Sequence, residues 1–357
     1  MNIISHLRKT FNRVNPNMGV ITFFLFIAVI ITLLFGVALG PVRVSVENVA
    51  LILISRIPVL GELIPHNWEQ IDYNIVIGLR LPRVVLGMVV GASLSVTGVT
   101  MQALVKNKLA DPFVLGVSSG AAVTATLGML FGVFSFLGRY SLSISAFFGA
   151  AFTIILVYTI SRVRGRINIT QLLLTGVAVS MIMDGLTRII ILNAPNALGI
   201  QSATFWLSGS LAGAKPAYLT LPVIVLLVCM AVLLLNYRGL NLLLLGEESA
   251  GSLGVNVKLL QKLLILTASL MAGVTVAVSG GIGFIGLMVP HFTRILVGSD
   301  HRKVLPVSAL LGGILLVWVD VAARMLLAPQ ELPVGILTAI IGGPVFIWLL
   351  KRKTKEG

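Results

Sequence analysis

Few side chains in this sequence could do chemistry, and the spacing of those few argues for neutralisation. Asp184 and Arg188 lie one helical turn apart inside one apolar run, and Asp320 and Arg324 do so inside another. On a helix that spacing puts each pair on one face, where the charges can cancel. An ion-coupled carrier would instead place an unpaired acid or a broken helix near the membrane midplane. With Thr170 starting its helix, Asp184 falls ~21 Å along it, in the outer half. One G-x-S-x-G string, Gly116–Val117–Ser118–Ser119–Gly120, opens an apolar run, whereas a nucleophile elbow follows a strand. G-x-x-x-x-G-K-[ST], H-E-x-x-H and Cys-x-x-Cys are all missing, which excludes P-loop ATP binding and leaves metal-enzyme readings without ligands. Cys229, the single cysteine, sits in an apolar run and reads as an inert buried thiol. His291 and His301 near the end of a short run read as hydrogen-bonding residues. The expectation is a chain that is not an enzyme and holds no cofactor or metal.

The elements that position these residues are membrane helices. Of 357 residues, 57% are hydrophobic and only 11% charged, where a soluble domain carries ~25% charged residues. At ~20 apolar residues per span, the length accommodates about ten spans and little else. Apolar runs place them near residues 18–40, 80–104, 117–134, 141–161, 169–193, 216–236, 260–279, 285–298, 304–327 and 334–350. The fold expected is therefore an all-α polytopic membrane protein, a single membrane domain over residues 1–357. The run from Met18 to Gly40 is too long for a signal peptide and reads as a retained first helix. The short run at 285–298 could belong to a re-entrant element.

Charge placement orients the map. The net charge of +14 would suggest nucleic acid on a soluble protein. Here, with both termini cytoplasmic, 18 of the 26 Lys and Arg fall on the inner side, among them Arg8, Lys9, Arg13, Lys106, Lys108, Arg164 and Lys258. The outer segment 41–79 holds Glu47, Glu62, Glu69 and Asp72. The inner segment 237–259 is apolar but broken by Gly and acids, too short and too polar to span. It is expected to form short interfacial helices that either dock a partner or rest on lipid.

Four stretches, in order along nearly the whole chain, resemble the permease subunits of binding-protein-dependent ABC importers for iron-siderophores, haem and cobalamin. They are Arg80–Leu81–Pro82–Arg83 through Asn107–Lys108–Leu109–Ala110–Asp111–Pro112 to Gly120; Leu172–Ala178 with Phe205–Ser210; Leu245–Gly246–Glu247–Glu248–Ser249–Ala250 with Leu253–Gly254–Val255; and Gly281–His291 through Asp300–His301–Arg302 to Glu331–Gly335 and Gly343–Pro344. The resemblance implies a permease in the bacterial cytoplasmic membrane. It would pair with a second permease subunit to form one pathway, with two cytoplasmic ATP-binding subunits and an extracytoplasmic substrate-binding protein.

The resemblance also implies site residues. Leu245, Gly246, Glu247, Glu248, Ala250, Leu253 and Gly254 would enter a cleft of the ATPase. Arg80, Arg83 and Arg324 would meet glutamates of the binding protein at the outer mouth, although a charge at a helix end can also simply snorkel. Asn107, Leu109, Ile169 and Thr170 would form the cytoplasmic gate, where Leu109 and Ile169 could close an apolar constriction by dewetting. Lys108 stands where the cobalamin permeases have proline. A ferric siderophore is the expected cargo, with haem or cobalamin as alternatives. An ion-coupled secondary transporter is the alternative from a different class.

Overall fold

The computed structural model describes residues 18–57, 67–163 and 166–356. Arg8, Lys9, Arg13, Glu62 and Arg164 lie outside them. The described chain is helical apart from one short hairpin, Arg162–Val163 (β1) antiparallel to Arg166–Ile167 (β2). The helices are α1 (Met18–Ala38), α2 (Val46–Ile54), α3 (Gln70–Val105), α4 (Val117–Phe131), α5 (Ser141–Ile160), α6 (Ile169–Leu192) and α7 (Ala197–Leu207). There follow α8 (Thr220–Leu235), α9 (Tyr237–Leu243), α10 (Glu247–Ser252), α11 (Val257–Ser279), α12 (Ile285–Val297), α13 (His301–Met325) and α14 (Val334–Glu356).

Among the described residues seven helical stretches are long and apolar enough to cross a membrane: α1, α3, α5 with the turn before it (Ser135–Ile160), α6, α8 with the turn before it (Pro216–Leu235), α11 and α13. α4, α12 and Val334–Ile347 of α14 are apolar but shorter. The 13 residues of α12 rise ~20 Å against a hydrocarbon core of ~30 Å. The chain is thus an all-α polytopic membrane protein.

Three elements differ from the sequence reading. The second span starts at Gln70 and not at 80, and it runs through a π-helical stretch, Asn74–Arg80, before becoming regular α-helix at Leu81. The segment before it is not all loop. Ser45 caps α2 by accepting from the Asn48 amide at 3.1 Å, Val49 and Ile52 are buried, and the Asn48 side chain donates to Asp72 at 3.0 Å. α7, eleven residues long, falls where no span was expected. Elements this short do not register against a length criterion of ~20 apolar residues.

Small residues set the packing. α3 and α13 meet where a Cβ on Gly91 would fall on the Gly312 carbonyl, and α3 meets the start of α12 where one on Gly98 would fall on the Gly286 carbonyl. The helix breaks pack on each other: the Ser210 amide donates to the Ser279 carbonyl at 2.8 Å and the Gly335 amide to the Gly209 carbonyl at 3.2 Å. Gly209 (φ +78°) and Gly280 (φ +65°) supply the left-handed backbone required there. Irregular backbone in a membrane protein needs this kind of internal pairing.

Candidate functional site

Two groups of side chains lie at opposite ends of α3. Its regular part, 25 residues from Leu81 to Val105, separates them by ~37 Å.

At the Leu81 end, Arg80, Arg83 and Arg324 come together, but their side chains turn inward, leaving the residues 6%, 8% and 3% exposed. Arg80 donates to the carbonyls of Val37 (3.1 Å) and Ala38 (2.7 Å), and to that of Val42. Arg324 donates to the carbonyls of Gly36 (3.0 Å) and Leu39 (3.3 Å). These carbonyls belong to the last turn of α1 and the residues just beyond it, where acceptors have no partner within the helix and the dipole is negative. Two arginines therefore cap α1 with positive charge. Arg83 grips Asp320 through Nε and Nη2 (2.9–3.1 Å) and reaches Glu331 at 2.8 Å. Asp320, 1% exposed, also lies in an ion pair with Arg324 at 3.1 Å. The expected Asp320–Arg324 pair is present, enlarged into a network. The same three arginines and Glu331 line a depression of about 420 Å³ together with Leu79 and Ala214. The ion-pair network itself joins Arg83 and Arg324 to Asp320 and Glu331.

At the Val105 end the chemistry is exposed. In α9–α10, Leu245, Glu247, Glu248, Leu253 and Gly254 are exposed, Gly246 is half-buried and Ala250 is buried, anchoring α10. Gly246 takes φ +114°, ψ +157°, a conformation open essentially only to glycine, and its carbonyl accepts from the Ala250 amide at 3.0 Å. The two glutamates occupy the first turn of α10, the favourable end for anions. With Arg162, Lys258 and Lys262 they line a cleft of about 450 Å³.

The expected gate residues sit beside this loop. Lys106 ends α3 in the left-handed conformation (φ +55°) and its ammonium lies 3.3 Å from Glu247. Asn107 and Thr170 are exposed, and Leu109 and Ile169 half-buried. The Asn107 side chain accepts from the Leu109 amide at 3.0 Å, which fixes the turn. Asn168 caps α6 through the Gln171 amide at 3.0 Å and so presents Ile169 and Thr170 at the helix start.

Sequence reasoning missed one polar node. Asn241, in the leucine-rich α9, donates to Asp300 at 2.8 Å and accepts from both the backbone amide (2.9 Å) and Nδ1 (2.7 Å) of His301. Burial raises the Asp300 carboxyl pKa, but the hydrogen bonds from Asn241 and the Arg302 amide outweigh it and hold the group below the ordinary carboxylate value. Asp300 is therefore an anion at neutral pH, and only acceptance is open to it. A lone asparagine inside Leu240–Leu245 was the signal available in the sequence.

Asp184 and Arg188 form no pair among the described ion pairs. Both lie on the exposed face of α6, so the expected neutralisation within one chain is absent. The described residues contain no cluster of His, Cys, Asp or Glu able to hold a metal ion.

The model of the FecCD transport family matches residues 27–352. The hemin transport system permease protein of Yersinia pestis is 41% identical over 286 residues, 80% of this chain and 85% of that protein. The Fe(3+) dicitrate transport system permease protein FecC of Escherichia coli is 39% identical, covering 84% of this chain and 91% of that one. Among solved structures, a chain from a metal-chelate type ABC transporter in an inward-facing conformation superposes with a TM-score of 0.79 at 31% identity, covering 93% of this chain and 99% of its own.

Proposed function

The chain belongs to the FecCD transport family and is a membrane permease subunit of an ABC importer for metal chelates; we propose that its cargo is a ferric siderophore. ATP is hydrolysed on a separate subunit. Two copies, or this chain and a close relative, enclose one pathway with about ten spans each and both termini cytoplasmic. Two ATP-binding subunits seat on α9–α10, and an extracytoplasmic binding protein docks over the outer depression, whose floor is Arg80, Arg83 and Arg324.

One observation carries the assignment of the ATPase surface: a short helix pair presents Leu245, Glu247, Glu248 and Leu253 to solvent while touching the gate through Glu247 and Lys106. A loop resting on lipid would turn its leucines toward the acyl chains and its carboxylates away. Here Leu245 and Leu253 are exposed along with Glu247 and Glu248, which supports a partner able to take both kinds of side chain. Motion of α10 then reaches the Lys106–Leu109 turn directly, and Leu109 and Ile169 are the residues that close the inner constriction.

Reconstitution tests the reading. Uptake of ferric siderophore into proteoliposomes should require the ATPase, the binding protein and internal ATP. Saturable uptake of hemin or cobalamin in place of the siderophore would transfer the chain to the corresponding cargo. Gradient-driven uptake by the permease alone would overturn the importer assignment in favour of a secondary carrier.

A further inference from the structure

The Asn241–Asp300–His301 node lies outside every residue group so far given a role, yet it joins two elements that must communicate. Asn241 is on α9, the first helix of the ATPase-docking loop. Asp300 is the N-cap of α13, its side chain accepting from the Arg302 amide at 3.0 Å. α13 runs from this node to Arg324 in the outer network.

The bonding pattern admits one arrangement. Asp300 can only accept, so the Asn241 amide nitrogen must face it and Oδ1 must face His301. Oδ1 accepts from the His301 backbone amide, and the Nδ1 contact therefore requires a proton on Nδ1. The proton on Nδ1 is assigned from this network. Nε2 is buried without a hydrogen-bond partner, and His301 is fully buried. A side chain fixed by three directed bonds, one of them to an anion, holds its two helices more rigidly than apolar contact would.

We infer that Asn241 is a positioning residue which locks α9 to the start of α13, so that displacement of the docking loop by the ATPase moves α13 with it. The inference rests on the proposed ATPase seat at α9–α10. It separates two routes out of that loop: Glu247 and Lys106 lead to the gate turn, while Asn241 and Asp300 lead along α13 to the outer end.

Hydrogen exchange on the full permease–ATPase complex, with and without vanadate-trapped nucleotide, reads both routes. In the wild-type complex, protection over 237–252 and over the first turn of α13 should change together on trapping. Asn241→Asp places a carboxylate against Asp300, and the α13 response should be lost while that of the loop persists. Asn241→Leu removes all three of its bonds at similar size while Asp300 keeps the Arg302 amide and the cap of α13. It should give the same split, with the loop response kept and the α13 response lost, whereas a merely structural defect would alter both. An α13 response equal to wild type in either variant would overturn the inference alone. A wild-type loop that does not respond to trapping would overturn the docking reading and the node with it.

Discussion

The two ends of α3 carry residues of the same kind and use them oppositely. At the Leu81 end three arginines and two carboxylates satisfy one another and the carbonyls ending α1. At the Val105 end Glu247 and Glu248 stay exposed, and a glycine at positive φ holds the loop that presents them. A charge near the end of a transmembrane helix is thus no measure of its availability to a partner. What decides is whether the helix ends around it have acceptors to offer. α1 ends against Arg80 and Arg324, so those charges became caps, whereas α10 begins with its glutamates at a helix N-terminus that tolerates them in water.

The sharpest way to break this contrast is Asp320→Ala. Arg83 and Arg324 both lose the buried anion they share, and about 3–5 kcal/mol of stability should go with it. A fluorescence melt of the purified permease would show a large drop in Tm, and a melt unchanged from wild type would mean the network does not bind the outer end together. Arg324→Met keeps the apolar stem and removes the cap. It should cost about 1.5–3 kcal/mol, the range for hydrogen bonds to charged groups, and a loss confined to binding-protein affinity, with no loss of Tm, would restore a purely external role.

The long apolar helices were legible because length and apolarity are local properties: seven of the ten apolar runs fall on helices long enough to span, and three on shorter apolar helices. The short helix pair in 237–259 was legible for a related reason, since Gly246 followed by Glu247 and Glu248 marks a break and a helix start within four residues. The fate of the arginines was not. Arg83 and Asp320 are 237 positions apart, and nothing near Arg83 announces an acid beside it. Asp320 was read with Arg324, which is correct, but the pattern of one turn on one helix cannot reveal a third partner from another helix. The same spacing misled at Asp184 and Arg188: a separation of four permits a pair without requiring one, and on the exposed face of α6 the two side chains remain apart.

Smaller effects sharpen the inner half of the contrast. Gly246→Ala puts a side chain at φ +114°, ψ +157° and should cost about 1–3 kcal/mol of local strain, visible as faster hydrogen exchange in α10 and weaker ATPase retention. Lys106→Gln removes an ion pair exposed on both sides, with Glu247 at 47%. Its effect on stability should stay near 0.2–1 kcal/mol, so Tm should hardly move while the conformation of the gate turn, followed by a spin label at Asn107, becomes independent of the docking loop.

The central claim is that the exposed acidic face of α10 seats the ATPase while the outer arginines hold the chain together, and affinity capture of the ATPase on the permease tests it most directly. Glu247→Gln/Glu248→Gln should sharply reduce co-purification while the stability loss stays within about 3 kcal/mol, the range for the lost Lys106 pair and the two helix-end charges. Co-purification at wild-type yield from a normally folded double variant would contradict the account.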